Sequence, residues 1–286
     1  KMKRKQLLNK TFLFGLTIPV LIFIYLPIIW LVISSISTRS ELLATPPHWI
    51  PNQPTLKNYI DIFTPGSSTS EVSRTSKTTL LNSLLVASTV TVISLVVGSL
   101  SAYALARIRF PFRSGFLMGI LGTRMIPEIS LVIPLYILAS QYKILNTPYI
   151  LMATYLSFAL PFAIWLMTSF FETVPVEMEE AARIDGCSRL RILFQIVLPV
   201  STPGLVSTAL FVFLLAWDEF FFALIFTSTV AAKTVPVAIA EFTGRYAVDI
   251  TAMMAGGVLA AIPPVLLSLI FQRYIVSGLT AGSVKG

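Results

Sequence analysis

Five side chains interrupt otherwise apolar stretches of this sequence: Arg124 and Glu128, four residues apart, and Trp217, Asp218 and Glu219 in a row. An ionisable group in a stretch long enough to cross a bilayer is costly, so it marks a functional candidate. Carboxylates accept hydrogen bonds from hydroxyl groups, and an indole presents a flat apolar face. Trp217, Asp218 and Glu219 therefore have the chemistry to hold a polyhydroxylated solute. The competing reading is structural: Arg124 and Glu128 pair on one helix face, or Asp218 pairs with Arg124 and fixes a gate. No nucleophile–base set accompanies these acids, so no catalytic residue is assigned. The adjacent Phe220, Phe221 and Phe222 point round a helix in turn and read as lipid or core packing. Cys187 and His48 are the sole members of their types, and neither a metal site nor a redox role is assigned to them.

A second set lies in a polar stretch. Glu180-Ala181-Ala182 is followed at fixed intervals by Gly186 and by Ile196, Leu198 and Pro199. Pro175 suits the first turn of a helix, with Thr173 as a nearby cap. Glu177, Glu179 and Glu180 stand at the positive end of its dipole, and Arg183 at the negative end. Gly186 supplies a left-handed stop. The pattern predicts a helix over 175–184, a reversal at Asp185-Gly186, and a second helix from Ser188 toward Val197 that ends before Pro199. Together they make a projecting knob. Ala181 and Ala182 keep one face free of bulk, so the knob can seat in a partner's groove, and Glu180 can hold it by pairing with a basic residue in this loop or on the partner. The alternative is a helical hairpin whose alanines pack on their own chain.

The elements that must carry these residues are membrane spans. Of 286 residues, 55% are hydrophobic and 12% charged, about half the charge of a soluble domain; mean hydropathy is +0.82. Too little polar surface exists to coat a soluble domain of this size. Six stretches can each form a helix across about 30 Å of hydrocarbon: 12–34, 79–106, 116–140, 149–170, 202–228 and 252–275. The fold class is an all-α integral membrane protein. Basic residues settle orientation. Lys1, Lys3, Arg4, Lys5 and Lys10, Arg107, Arg109 and Arg113, Arg183, Arg189 and Arg191, then Arg273 and Lys285 fall on one side. Both termini (1–11 and 276–286) and the 171–201 loop are therefore expected in the cytoplasm, with the Pro-rich 35–78 loop outside. The basic start resembles a signal peptide, but its apolar core is long and lacks a small-x-small site, so it reads as an uncleaved first span. The net charge of +8 goes with orientation rather than with nucleic acid. Leu56 to Phe63 reads as a short interfacial helix or a plain loop. In the second span Ser83, Ala87, Thr91, Ser94, Gly98 and Ala102 form a small-residue stripe that lets helices approach closely. Gly256, Gly257, Pro263 and Pro264 do similar work in the last.

The loop signature resembles that of permeases of ATP-binding-cassette importers, in particular carbohydrate-importer permeases of the kind that forms the second permease subunit of maltose-type systems. The likeness also rests on Arg124-Met125-Ile126-Pro127, Ile133-Pro134-Leu135-Tyr136, Ala216-Trp217-Asp218-Glu219-Phe220 and the ending from Gln272 to Gly286. Many relatives have Asn where Asp218 stands here. The resemblance implies a six-helix type I importer permease with a cytoplasmic coupling helix, in a bacterial inner membrane. It implies a heterodimer with a second permease, two ATP-binding cassette subunits that hold ATP and Mg, and an extracytoplasmic sugar-binding protein. Glu179, Glu180, Ala181, Ala182, Arg183, Asp185 and Gly186 would dock on the ATPase, and the tail would reach toward it. The sequence contains no Gly-Lys dipeptide, hence no phosphate loop, so ATP would be bound by a separate polypeptide and this chain would carry no cofactor. Other solutes (a polyol, glycerol phosphate, an amino acid) fit the same class. An ion-driven transporter would need inverted repeats or paired broken helices, which are not evident.

Overall fold

The computed structural model describes residues 2–46, 48–64, 71–241 and 250–281, with side chains described from Gly15 onward except at 71–76 and beyond Tyr274. Every regular element among them is a helix, as expected where lipid leaves backbone groups no other partner. The chain divides into two compact units, residues 1–77 with 239–261 and residues 78–238 with 262–286.

In the first unit, α1 (Met2–Ser35) carries the apolar run, and α2 (Arg39–Leu42) and α3 (Lys57–Phe63) follow. The expected helix at 56–63 is present, and polar contacts tie it to the end of α1. Asn58 Nδ2 donates to the carbonyls of Ser35 at 2.8 Å and Ser37 at 3.3 Å, and the Tyr59 and Ser35 hydroxyls share a hydrogen bond of 2.6 Å. Tyr59 thus turns toward the end of α1, while Phe63 stays exposed. Glu41 fastens the segment between: its Oε1 accepts from the backbone N–H of Asn52 at 2.8 Å and Gln53 at 3.0 Å.

The second unit begins within α4 (Glu71–Arg107), which starts earlier than the expected span. α5 (Arg113–Gly122) and α6 (Glu128–Gln141) follow, joined by the 3-10 turn Thr123–Met125, then α7 (Pro148–Glu172). The small-residue stripe of α4 packs as anticipated: Ser83, Ala87, Ser94 and Ala102 are buried, and a Cβ on Gly98 would lie 3.2 Å from that of Ala163 on α7. The expected straight helix over 116–140 is absent. α5 with its 3-10 turn meets α6 at 86°. Pro127 forces the break, since it excludes Ile126 from the helical region (ψ 122° at Ile126).

Next come α8 (Val176–Ile184), α9 (Arg189–Ile192), a π-helical turn (Leu193–Val197) and α10 (Leu198–Val200). The helix expected to stop before Pro199 runs through it. Proline lacks an N–H and its ring crowds the carbonyl four residues back; the wider turn, with Leu198 N–H on the Leu193 carbonyl, accommodates both. The break comes at Ser201, where α11 (Thr202–Trp217) leaves at 83°. α11 spans about 24 Å and is followed by α12 (Phe221–Phe226) and α13 (Val235–Glu241). The continuous span over 202–228 is therefore two helices. A Cβ on Gly204 would fall 2.2 Å from the Phe170 ring, so α11 and α7 meet where only glycine fits. α14 (Ile250–Ala281) continues through Pro263 and Pro264 and past 275, where a separate tail was expected; residues 282–286 lie outside the described set. In its first-unit part Gly257 faces Leu31. Among the described residues, four helices are long and apolar enough to cross a membrane, or up to six if each bent pair counts as one span.

Candidate functional site

The knob is α8 with the segment behind it. Pro175 occupies the N-cap rather than the first turn; Thr173 instead bonds back to the Phe170 carbonyl at 2.7 Å and closes α7. Asp185 is the C-cap and Gly186 takes φ +80°, the left-handed stop that a β-carbon would strain. The predicted residues then separate by face. Glu180, Ala181, Arg183, Asp185 and Gly186 are exposed, with Ile184 at 87%. Ala182 is buried in a cluster with Tyr103, Met167, Phe171, Val174, Ile192 and Leu193. The alanine pair thus does two jobs: Ala182 packs on its own chain and Ala181 faces out.

Within the chain the anchoring charge is Glu179. Arg107 Nε lies 2.5 Å from Glu179 Oε1, with the two side chains 9% and 7% exposed. Arg107 Nη2 also donates to the carbonyls of Phe171 and Val174, each at 2.8 Å, and the Tyr103 hydroxyl donates to Glu179 Oε2 at 2.8 Å. Arginine's fork of donors suits this task of joining a carboxylate to helix-end carbonyls. Sequence reading assigned Arg107 to orientation alone and gave Tyr103 no role. The signal available was weak: a basic residue in the last turn of one helix and an acid in the first turn of another.

The second set surrounds a cavity of about 490 Å³, within the range of small-solute sites. Arg124, Glu128, Asp218 and Glu219 all line it, and Arg124 and Glu128 also border an adjoining space of about 160 Å³. The fold thus brings together residues some ninety positions apart, but not in the expected geometry. Arg124 sits in the 3-10 turn and Glu128 begins α6, so they do not share a helix face. The Arg124 guanidinium lies over the Phe162 ring, 5.3 Å from its centroid. No ion pair joins it to Glu128 or Asp218 among the described residues. Asp218 caps the end of α11 and is exposed. Glu219 accepts the backbone N–H groups of Phe222 at 2.8 Å and Ala223 at 3.2 Å, satisfying donors that the first turn of α12 leaves open. It is a helix cap first.

Trp217 is not on the wall. It is 3% exposed and its ring stacks on Phe213 at 5.6 Å. The aromatic faces come from Phe158, Phe211, Phe220 and Phe221. Of the three consecutive phenylalanines, Phe222 is buried in the core and Phe221 packs against it as well as lining the cavity. A run of consecutive aromatics shows no face until the helix break at 218–220 aims two of them inward.

Residues 94–281 match the family model described as binding-protein-dependent transport system inner membrane component. The chain is 38% identical over 284 residues to the trehalose/maltose transport system permease protein MalG of Thermococcus litoralis, covering 99% of each. It is 37% identical over 263 residues to the trehalose transport system permease protein SugB of Mycobacterium tuberculosis, covering 91% of this chain and 92% of that one. Its fold matches a chain in the crystal structure of a bacterial ABC transporter involved in the import of the acidic polysaccharide alginate. There the TM-score is 0.75 at 23% identity, with 92% and 96% of the two chains covered. The chain belongs to the family of binding-protein-dependent transport system inner membrane components.

Proposed function

We propose that this chain lines half of the pathway of an ATP-driven sugar importer and converts movement of a cytoplasmic ATPase into alternating access. The observation that carries the reading is the knob. α8 is pinned on one side by buried packing and by Glu179, and offers on the other a stripe of Glu177, Glu180, Ala181 and Ile184. These residues lie three or four apart and so share a face. An exposed apolar tip framed by charge suits insertion into a groove of a soluble partner. Two ATP-binding cassette subunits and a second permease would complete the complex, with both termini and the knob in the cytoplasm. An external binding protein would deliver the solute, in keeping with the family's description.

Sugar is favoured by the relatives, whose names specify trehalose and maltose, and by the cavity wall. Carboxylates accept from hydroxyl groups and Phe faces stack on pyranose C–H groups; Asp218 and Glu128 have the free acceptor capacity that Glu219 spends on α12. Closure of the ATPase pair would push the knob and open the cavity outward, and hydrolysis would reset it.

The test begins with affinity-tagged chain purified from its own membranes, which should bring an ATPase subunit with it. In proteoliposomes, Glu180→Lys and Gly186→Pro should lower uptake of radiolabelled trehalose or maltose at least tenfold while ATP hydrolysis continues. Full uptake in both variants would remove the knob from the mechanism.

A further inference from the structure

Resting on the coupling reading but going beyond it, we propose that Arg107, Glu179 and Tyr103 form the joint through which the knob moves the membrane helices. Three elements converge on them: the last turn of α4, the last turn of α7 and the first turn of α8. Arg107 spends its Nε on Glu179 and its Nη2 on the carbonyls of Phe171 and Val174, so one guanidinium grips two helices besides its own. Tyr103, a turn earlier on α4, holds the other carboxylate oxygen. Around them Met167, Phe171, Val174 and Ala182 exclude solvent.

A buried ion pair adds little net stability over an apolar substitute, because desolvation offsets its attraction. What it adds is geometry. The guanidinium fork fixes direction as well as distance, and α8 cannot shift without dragging the ends of α4 and α7 or leaving a buried charge alone. The neighbouring Arg113–Glu172 ion pair, by contrast, is half-exposed and can break and re-form in water. α7 then carries the displacement onward: from Phe171 to Phe158 on the cavity wall is about 20 Å of helix at 1.5 Å per residue. The joint thus connects the docking face to the solute path through a single helix, α7, which runs on through Pro161. Arg107, Glu179 and Tyr103 are positioning residues; none touches solute or nucleotide.

The experiment places spin labels at two exposed sites outside the joint, Val176→Cys on α8 and Leu100→Cys on α4, in a Cys187→Ser background. The membrane complex with its co-purified ATPase is measured without nucleotide and trapped with ATP and vanadate. With the joint intact, one narrow distance distribution is expected in both states. In Glu179→Gln the distribution should widen at least twofold and differ between the two states, because the knob follows the ATPase while α4 stays behind. Tyr103→Phe, a milder change that keeps the ion pair, should widen it less. A purely structural contact would respond alike in both states. Distributions in both variants that match the parent in both states would overturn the joint. A parent chain that brings no ATPase down overturns the coupling reading instead. A broad parent distribution, with ATPase bound, overturns the joint alone.

Discussion

Glu179 and Glu180 stand side by side and differ in everything that matters. The first is enclosed with Arg107 and Tyr103; the second faces water. Removing one member of a buried pair leaves the other charged and unpaired, at a cost of about 3–5 kcal/mol. Surface substitutions stay within about 0.5 kcal/mol. Glu179→Ala should therefore lower the midpoint of chemical unfolding in detergent clearly, and Glu180→Ala should leave it in place. Equal midpoints would mean that the Arg107 contact does not persist in solution. In the sequence these two acids are equivalent first-turn residues. Which one turns inward depends on where the end of α4 lies, and a single helix holds no information about that. Trp217 teaches the same point in reverse. Its type and neighbours suggest a solute platform, yet it lies on the Phe213 side of α11 and packs there.

At the scale of elements, turn chemistry was legible and helix continuity was not. Pro175, Asp185 and Gly186 specify the ends of α8 by local sterics alone. Pro127 and Pro199 are the same residue type with opposite outcomes: one ends a helix, the other rides through a π turn. The difference lies in what each helix packs against, since the turn before Pro199 is buried through Leu193 and Val197. Glu41 ties Thr38, Asn52 and Gln53 together through its carboxylate. Slight burial raises the pKa of Glu41, but the N–H groups of Gln53, Thr38 and Asn52 outweigh it and hold the group below its ordinary 4.5. A depressed folded-state pKa stabilises above the ordinary value, and the contribution is lost as pH falls through the folded one. Hydrogen-exchange protection at Asn52 and Gln53, corrected for intrinsic rates, should hold from neutral pH down to about 4.5 and disappear only below it. Protection already lost at pH 6 would exclude Glu41 as the fastener.

For the whole molecule, the distribution of Lys and Arg predicts which side of the bilayer each loop takes. Single-cysteine variants in a Cys187→Ser background check it. Glu177→Cys on the knob should react with a membrane-impermeant maleimide only in inverted vesicles, and Lys57→Cys on α3 only in right-side-out ones. The reverse pattern would invert the proposed mechanism. Length, apolar content and the loop signature were enough to determine an all-helical membrane protein with a projecting knob, because spanning lipid and stopping a helix are requirements each segment meets by itself. The cavity and the joint were decided only by tertiary structure. Arg124 and Asp218 line one cavity, and Arg107 pairs with Glu179, across some seventy to ninety residues of chain. Such meetings depend on how bent helices pack, which is a property of pairs of elements and not of any one of them.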